Sequence, residues 1–552
     1  MQSLNTPRVM QSGRAKAFLL LLPVLIAAAW LLRVAIAALP IDQGPGGPIL
    51  VLTSGTSNYG KYYAEILRNE GLNHFAVADV STIASASDLA AYDVVVLAKT
   101  SLTANQVSAL TTWVNGGGNL IAMAPDSQLA GLLGVSSNNA QLSDAYLLVD
   151  SSTQAGNGIV NQTIQFHGAA DRYTLAGASS IATLYSDAAT VTANPAVTLR
   201  SVGQGQAAAF TYDLATSVVY TRQGNPAWAT QERDGFTPIR SDDKFYGNAA
   251  GDPHADWIDL SKVAIPQADE QQRLLANLII TMNSSKKPLP RFWYFPNGKK
   301  AVVIMTGDDH ANGGTAGRFD QFLAASSPGC VVANWECVRS TSYIYPGTPL
   351  TDSQAAAYTA QGFEVGLHIT TDCVDFTPAS LETTYVNQMA NWAAQWPSVP
   401  APITQRHHCI VWSDWLTGAK TELVHSMRLD VSYYFWPPSW VNDVPGLFTG
   451  SAMPMRFADL DGSLIDVYEA TTQMTDESGQ SYPFTINTLL DRAIGNEQYF
   501  GAFTVNAHTD NATSAVSDAV LTAAQSRGVP IVSSVQMLRW LDARNNSSFS
   551  GI

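Results

Sequence analysis

Asp308 and Asp309 stand side by side at the end of the apolar run Ala301–Met305, in the segment Thr306-Gly307-Asp308-Asp309-His310. Adjacent carboxylates repel one another, and a divalent ion relieves this by taking one as a ligand while the other stays free as a base. A solvated Asx turn is the plain alternative for such a pair. Three further segments place ligand or acid–base side chains at the ends of extended runs. Phe363–Leu367 leads into His368, with Asp372 four residues later; Gln405-Arg406-His407-His408 follows an apolar, Pro-rich approach; Phe503–Ala507 leads into His508-Thr509-Asp510. A bound divalent ion with a free carboxylate base beside it is the chemistry open to such a set. His408 lies two residues beyond Arg406 and shares its face if that stretch is extended. His407 reads as a packed or hydrogen-bonded side chain.

The carboxyl ends of strands are where α/β folds assemble active sites, so the surrounding elements matter. Thr351-Asp352 caps a helix running to Gln361, Gly362 ends it, and the strand before His368 follows. Upstream, Ile49–Leu52, a turn-rich segment Thr53–Gly60 and a helical pattern from Lys61 to Arg68 make a strand, loop and helix. A second cycle runs through Val94–Ala98, the helical Leu102–Val114, the turn Gly116-Gly117-Gly118 and the strand Asn119–Met123. Alternating strands and helices imply an α/β protein with parallel sheets. Residues 136–260 read as short strands rich in Ser, Thr, Asn and Gly, and Leu274, Leu275, Leu278 and Met282 mark a helix that closes the unit. Ser284–Pro290, with two prolines, reads as a linker between domains at 48–285 and 291–545.

The 552 residues exceed one ordinary core, and 46% hydrophobic against 14% charged residues is a globular composition. A net charge of −15 excludes a nucleic-acid backbone as partner and suits a neutral or cationic one. Arg8, Arg14 and Lys16 precede the apolar run Ala17–Leu32 and the pattern Ala35-Ile36-Ala37, which predicts an export signal over residues 1–39. Cleavage, or retention as a membrane anchor, would each leave the remainder outside the cytoplasm. Cys330, Cys337, Cys373 and Cys409 predict two disulfides in an exported chain. Their pairing is not readable, although Cys373 could tether the loop after His368 to the one bearing Cys409.

With these motifs in order, the segment Phe292–Leu541 resembles the polysaccharide deacetylases of the NodB-homology type. That resemblance implies a distorted (β/α) barrel and a divalent metal, Zn²⁺ being the expected ion. Asp308 would be the catalytic base, Asp309 and His368 metal ligands, Arg406 the partner of the base, and His508 the general acid, with Asp430 orienting it. The family's second motif ends in histidine where this chain has Asp372, so Asp372 and His408 both stand as candidates for the third ligand. Glycine at 307 and histidine at 310 also depart from the family pattern. The implied activity is N-deacetylation of an extracellular amino-sugar polysaccharide, or O-deacetylation of a xylan-type glycan; a non-catalytic glycan-binding or export factor is the alternative. Flat rings suit pyranose faces, which makes Trp412, Trp415 and Trp436 substrate-contact candidates, with core packing as the competing reading. The segments "YDVVVLAKT" and "WVNGGGNLIAM" resemble the glutamine-amidotransferase-like, flavodoxin-like domains. No cysteine precedes Cys330, so amidotransferase chemistry is not expected of that half.

Overall fold

Short apolar runs that alternate with capped helices build two sheets in the computed structural model, which describes residues 39–246, 256–434 and 441–549. The proposed export segment, apart from Leu39, and Trp436 lie outside the described residues. Among the described residues no helix is long and apolar enough to cross a membrane.

The first sheet begins with β1 (Ile49–Thr53), β2 (Phe75–Asp79), β3 (Val94–Leu97) and β4 (Asn119–Met123). It continues with β5 (Val135–Val149), β6 (Ile164–Leu175), β7 (Ser179–Tyr185), β8 (Val191–Val202) and β9 (Gly205–Phe210). Its order is β2-β1-β3-β4-β9-β8-β7-β5-β6. The run from β2 to β9 is parallel, and β1, β3 and β4 are buried along their whole length, as strands covered on both faces must be. The strand order of this run is the flavodoxin-like one. From β9 to β6 the pairing is antiparallel, which is the expected β-rich extension. Helix Ala104–Asn115 starts at a reciprocal capping box between Thr103 and Gln106. It gives way to β4 through Gly117, whose φ of 116° suits glycine.

The second sheet contains β10 (Ala301–Asp309), β11 (Thr341–Ile344), β12 (Glu364–Ile369), β13 (Thr404–His407) and β14 (Leu429–Asp430). To these are added β15 (Met455–Ala458), β16 (Leu464–Glu469), β17 (Thr472–Thr475), β18 (Gly501–Asn506) and β19 (Ile531–Val532). The order is β15-β16-β14-β13-β12-β11-β10-β18-β17, with β19 also on β10, and only the β15–β16 pair is antiparallel. This sheet curls as an open half-barrel, so the molecule is of the mixed α/β class the sequence predicts.

From Ile41 onward the chain forms one compact unit. Buried ion pairs join the two halves: Arg222 to Glu469 at 2.8 Å and Arg456 to Glu65 at 3.0 Å. Ser451 donates to Asp269 at 2.6 Å, and the Arg544 guanidinium donates to the carbonyl oxygens of Arg68 and Asn69.

Candidate metal and acid–base centre

Along a strand successive side chains point to opposite faces, so Asp308 and Asp309 part company at the end of β10. Asp309 is fully buried and organises its own loop. Its Oδ1 accepts from the amides of Asn312 and Gly313 at 2.8 and 2.9 Å, and its Oδ2 from the Thr315 amide and hydroxyl at 3.2 and 2.7 Å. Asp308 turns the other way, into a cavity of ≈ 360 Å³ that it shares with His310, Arg406, His408 and His508. Its Oδ2 accepts from Arg406 Nε at 2.9 Å and from Asn506 Nδ2 at 2.8 Å, while its Oδ1 is buried without a partner. Burial alone would raise this carboxyl, but the neighbouring His368 and the Arg406 guanidinium hold it well below the usual carboxylate range. Arg406 is itself fixed by the Val431 carbonyl at 2.8 Å.

Three imidazoles converge beside Asp308. Ligand nitrogens of His310, His368 and His408 lie within 4.8 Å of one another. His368 Nδ1 is 3.0 Å from the Arg406 carbonyl oxygen, which can only accept, so the proton sits on Nδ1. Its Nε2 is buried, has no hydrogen-bond partner, and lies 3.8 Å from Asp308. His310 Nδ1 is 3.0 Å from the Asp510 carboxylate, which leaves Nε2 as its inward nitrogen. That nitrogen is 3.2 Å from His408 Nδ1, and two ligands about 2.0–2.1 Å from one tetrahedral ion stand about 3.3 Å apart. Burial pushes His368 down to about 3 and His408 down to about 4, so both are neutral, as metal ligands must be. The donor set therefore fits a divalent metal, with its outer support already in place. The half-buried Tyr345 ring packs against all three imidazoles and stacks on His368 at 5.3 Å.

His508 enters from the loop after β18. Its Nδ1 is 2.7 Å from Asp476 Oδ1, its backbone amide donates to Asp476 Oδ2 at 2.9 Å, and its Nε2 is 3.4 Å from Glu477. Burial opposes protonation, but the Asp476 bond and the charge of Asp308 outweigh it and raise His508 to about 9. At neutral pH the cavity thus presents an ionised carboxylate and a protonated imidazole. One wall comes from the first half of the chain: Arg240 lines the cavity, and its Nε donates to the Cys409 carbonyl at 2.9 Å.

Several expected site residues lie elsewhere. Asp309 is not in the imidazole cluster, because its oxygens accept from the loop that follows it. Asp372 is exposed and likewise outside the cluster; its loop is instead joined to the end of β13 by the Cys373–Cys409 disulfide. Trp412 and Trp415 are 1% and 5% exposed and donate their indole N–H groups to the carbonyls of Trp415 and Ala458, so both are core side chains rather than sugar platforms. Asp430 accepts from Ser432, and Asp476 takes the orienting role on His508. His407 is buried against Tyr385, with its Nε2 2.7 Å from the phenol oxygen. Sequence reasoning missed His310, Asp476, Asn506 and Tyr345. His310 was open to detection, since strand alternation puts it on the Asp308 face.

No protein-family model and no curated protein matches this chain. Among solved structures it is similar to Agd3, described as a novel carbohydrate deacetylase, at 11% identity and a TM-score of 0.36 over 90% of this chain and 87% of that one. It is similar to the β-galactosidase from Bacillus circulans sp. alkalophilus at 13% identity and a TM-score of 0.26, over 31% of this chain and 30% of that one. A third likeness is to the exo-β-1,4-mannosidase Op5Man5 from Opitutaceae bacterium strain TAV5, at 17% identity and a TM-score of 0.26, over 35% and 34% of the two chains. This chain thus spans about a third of the length of these glycosidases. None of these likenesses bears on function at such identities and scores.

Proposed function

We propose that this chain is a metal-dependent hydrolase that removes N-acetyl groups from an amino-sugar polysaccharide outside the cytoplasm. One observation carries the reading: an ionised Asp308 and a protonated His508 line one cavity, beside the cluster of His310, His368 and His408. His310, His368 and His408 would hold the ion, and an all-imidazole set suits Zn²⁺. When bound there, the ion supplies Lewis-acid polarisation of the acetyl carbonyl and of water. Asp308, fixed by Arg406 and Asn506, accepts the proton of the attacking water at its unpartnered Oδ1. His508, oriented by Asp476, delivers its Nε2 proton to the departing nitrogen. The products are acetate and a free amino group on the sugar.

A protonated His508 can supply the proton that an amine needs as the bond breaks, and product analysis separates the amide from the ester substrate. Acetate release from partially acetylated glucosamine and galactosamine polymers is the direct test. Release that disappears with a chelator, returns with Zn²⁺ and is absent from His310→Ala is the expected result. Release indifferent to chelation would remove the metal from the reading, and acetate released only from O-acetylated xylan would replace the substrate.

A further inference from the structure

Away from the imidazole cluster, three carboxylates converge in the segment between Glu232 and Asp243. One oxygen from each of Glu232, Asp234 and Asp243 lies within 4.8 Å of the others. Asp234 is 4% exposed and Asp243 1%, whereas Glu232 faces solvent. Backbone amides satisfy part of the set. Asp243 Oδ1 accepts from Arg233 and Asp234 at 2.7 and 3.1 Å, and its Oδ2 from Arg240 at 2.8 Å. Asp234 Oδ1 accepts from Phe236 at 2.7 Å and Glu232 Oε1 from Gly235 at 2.8 Å. Asp234 Oδ2, by contrast, is buried and accepts no hydrogen bond.

Cationic side chains nearby are directed to other partners. Arg240 donates to the carbonyls of Cys409, Phe236 and Pro238, and Lys244 Nζ donates to the Tyr433 hydroxyl at 2.7 Å. The Arg233 guanidinium lies over the Trp228 ring, 3.6 Å from its centroid. Burial and then the charge of Asp243 disfavour the ionised form of Asp234. Gathering carboxylates in this way calls for a positive charge between them, and oxygen-only donors are the preference of a hard divalent ion.

We propose that Glu232, Asp234 and Asp243 bind a divalent cation of the calcium class, with Asp234 Oδ2 as its buried ligand. The site is chemically distinct from the all-imidazole cluster, which selects softer ions. Its position gives it a consequence for the cavity. The same segment bridges to the second half, where Arg240 pairs antiparallel with Val411 and the Trp412 amide donates to the Ile239 carbonyl at 2.9 Å. The Ile239 amide in turn donates to Asp375 at 3.0 Å. A cation at the base of this segment would hold the Arg240 wall against the rim of the cavity.

Calorimetric titration of the full chain with calcium chloride, after its imidazole site has been saturated with Zn²⁺, tests the site. One equivalent of Ca²⁺ with a Kd of roughly 0.1–1 mM is expected, the range of extracellular calcium modules. Glu232→Gln, at an exposed position that leaves the fold intact, and Asp234→Asn should each weaken binding by about tenfold or more. His310→Ala should leave it unchanged. Calcium should also raise the Tm of the wild type by a few degrees and not that of Glu232→Gln. The absence of binding up to 10 mM calcium chloride overturns the proposal, as does equal affinity in wild type, Glu232→Gln and Asp234→Asn. Stability that rises as the pH falls through about 7, with no response to calcium, would assign a shared proton to the cluster and also overturn it.

Discussion

Asp476 sets the protonation of His508 by direct contact, so its replacement has a defined pH signature. His508 is held at about 9, above its unfolded value, and the acid form is therefore present at neutral pH and lost as the pH rises through about 9. Asp476→Asn should move the basic limb of the kcat profile acidward by about 1–2 pH units, with KM little changed. An unmoved limb would assign the proton to another group. Asp309 and His310, the two residues after Asp308, offer a second contrast. His310→Ala should lower metal affinity by roughly 100-fold or more, measured by competition with a chromogenic chelator, while the fold persists. Asp309→Asn should keep the metal and cost about 2–4 kcal/mol in urea unfolding, because four donors face that carboxylate. The types and approximate places of Asp308, His368, Arg406, His408 and His508 were legible in the sequence, since each ends an extended run. Asp476 was not, because nothing local marks it: its tie to His508 is a contact across 32 residues.

At the scale of elements, two devices aim these side chains. The parallel pairing of β17 with β18 aligns Thr475 with Asn506, and so brings the next residues, Asp476 and the loop to His508, together. Such register between strands separated by a helix is what a single sequence leaves undetermined. The pleat of β10 was available to sequence reasoning and decides between Asp309 and His310 as cluster members. The second device is covalent: Cys373–Cys409 closes a 36-residue separation and pins the backbone beside His408. Replacing both cysteines with serine should lower stability by up to about 4 kcal/mol, read as a fall in the urea midpoint. It should also weaken metal binding. Unchanged metal affinity would show that the turn Cys409–Ile410 holds His408 unaided. The alternation of strands and helices and the parallel sheets were legible from periodicity, and the cap at Thr351 from its residue type, whereas the capping box at Thr103 was not read.

At the scale of the whole molecule, buried charges join the residues on either side of the Ser284–Pro290 segment. Arg222 and Glu469 are about 1–2% exposed and pair at 2.8 Å across the boundary. Glu469→Gln should cost about 3–5 kcal/mol by stranding the buried guanidinium. Calorimetry should show one cooperative transition for wild type, and two resolved transitions would mean that the halves melt apart. These pairs crossed the linker unseen because charge complementarity over more than 200 residues has no local pattern. They also constrain biosynthesis. Glu65 and Asp269 leave the ribosome long before Arg456 and Ser451, and Asn69 long before Arg544, so the early sheet emerges with carboxylates and carbonyls whose partners have yet to be translated. These contacts of the first half become available only once nearly the entire polypeptide has been synthesised, and those of the last helix come latest.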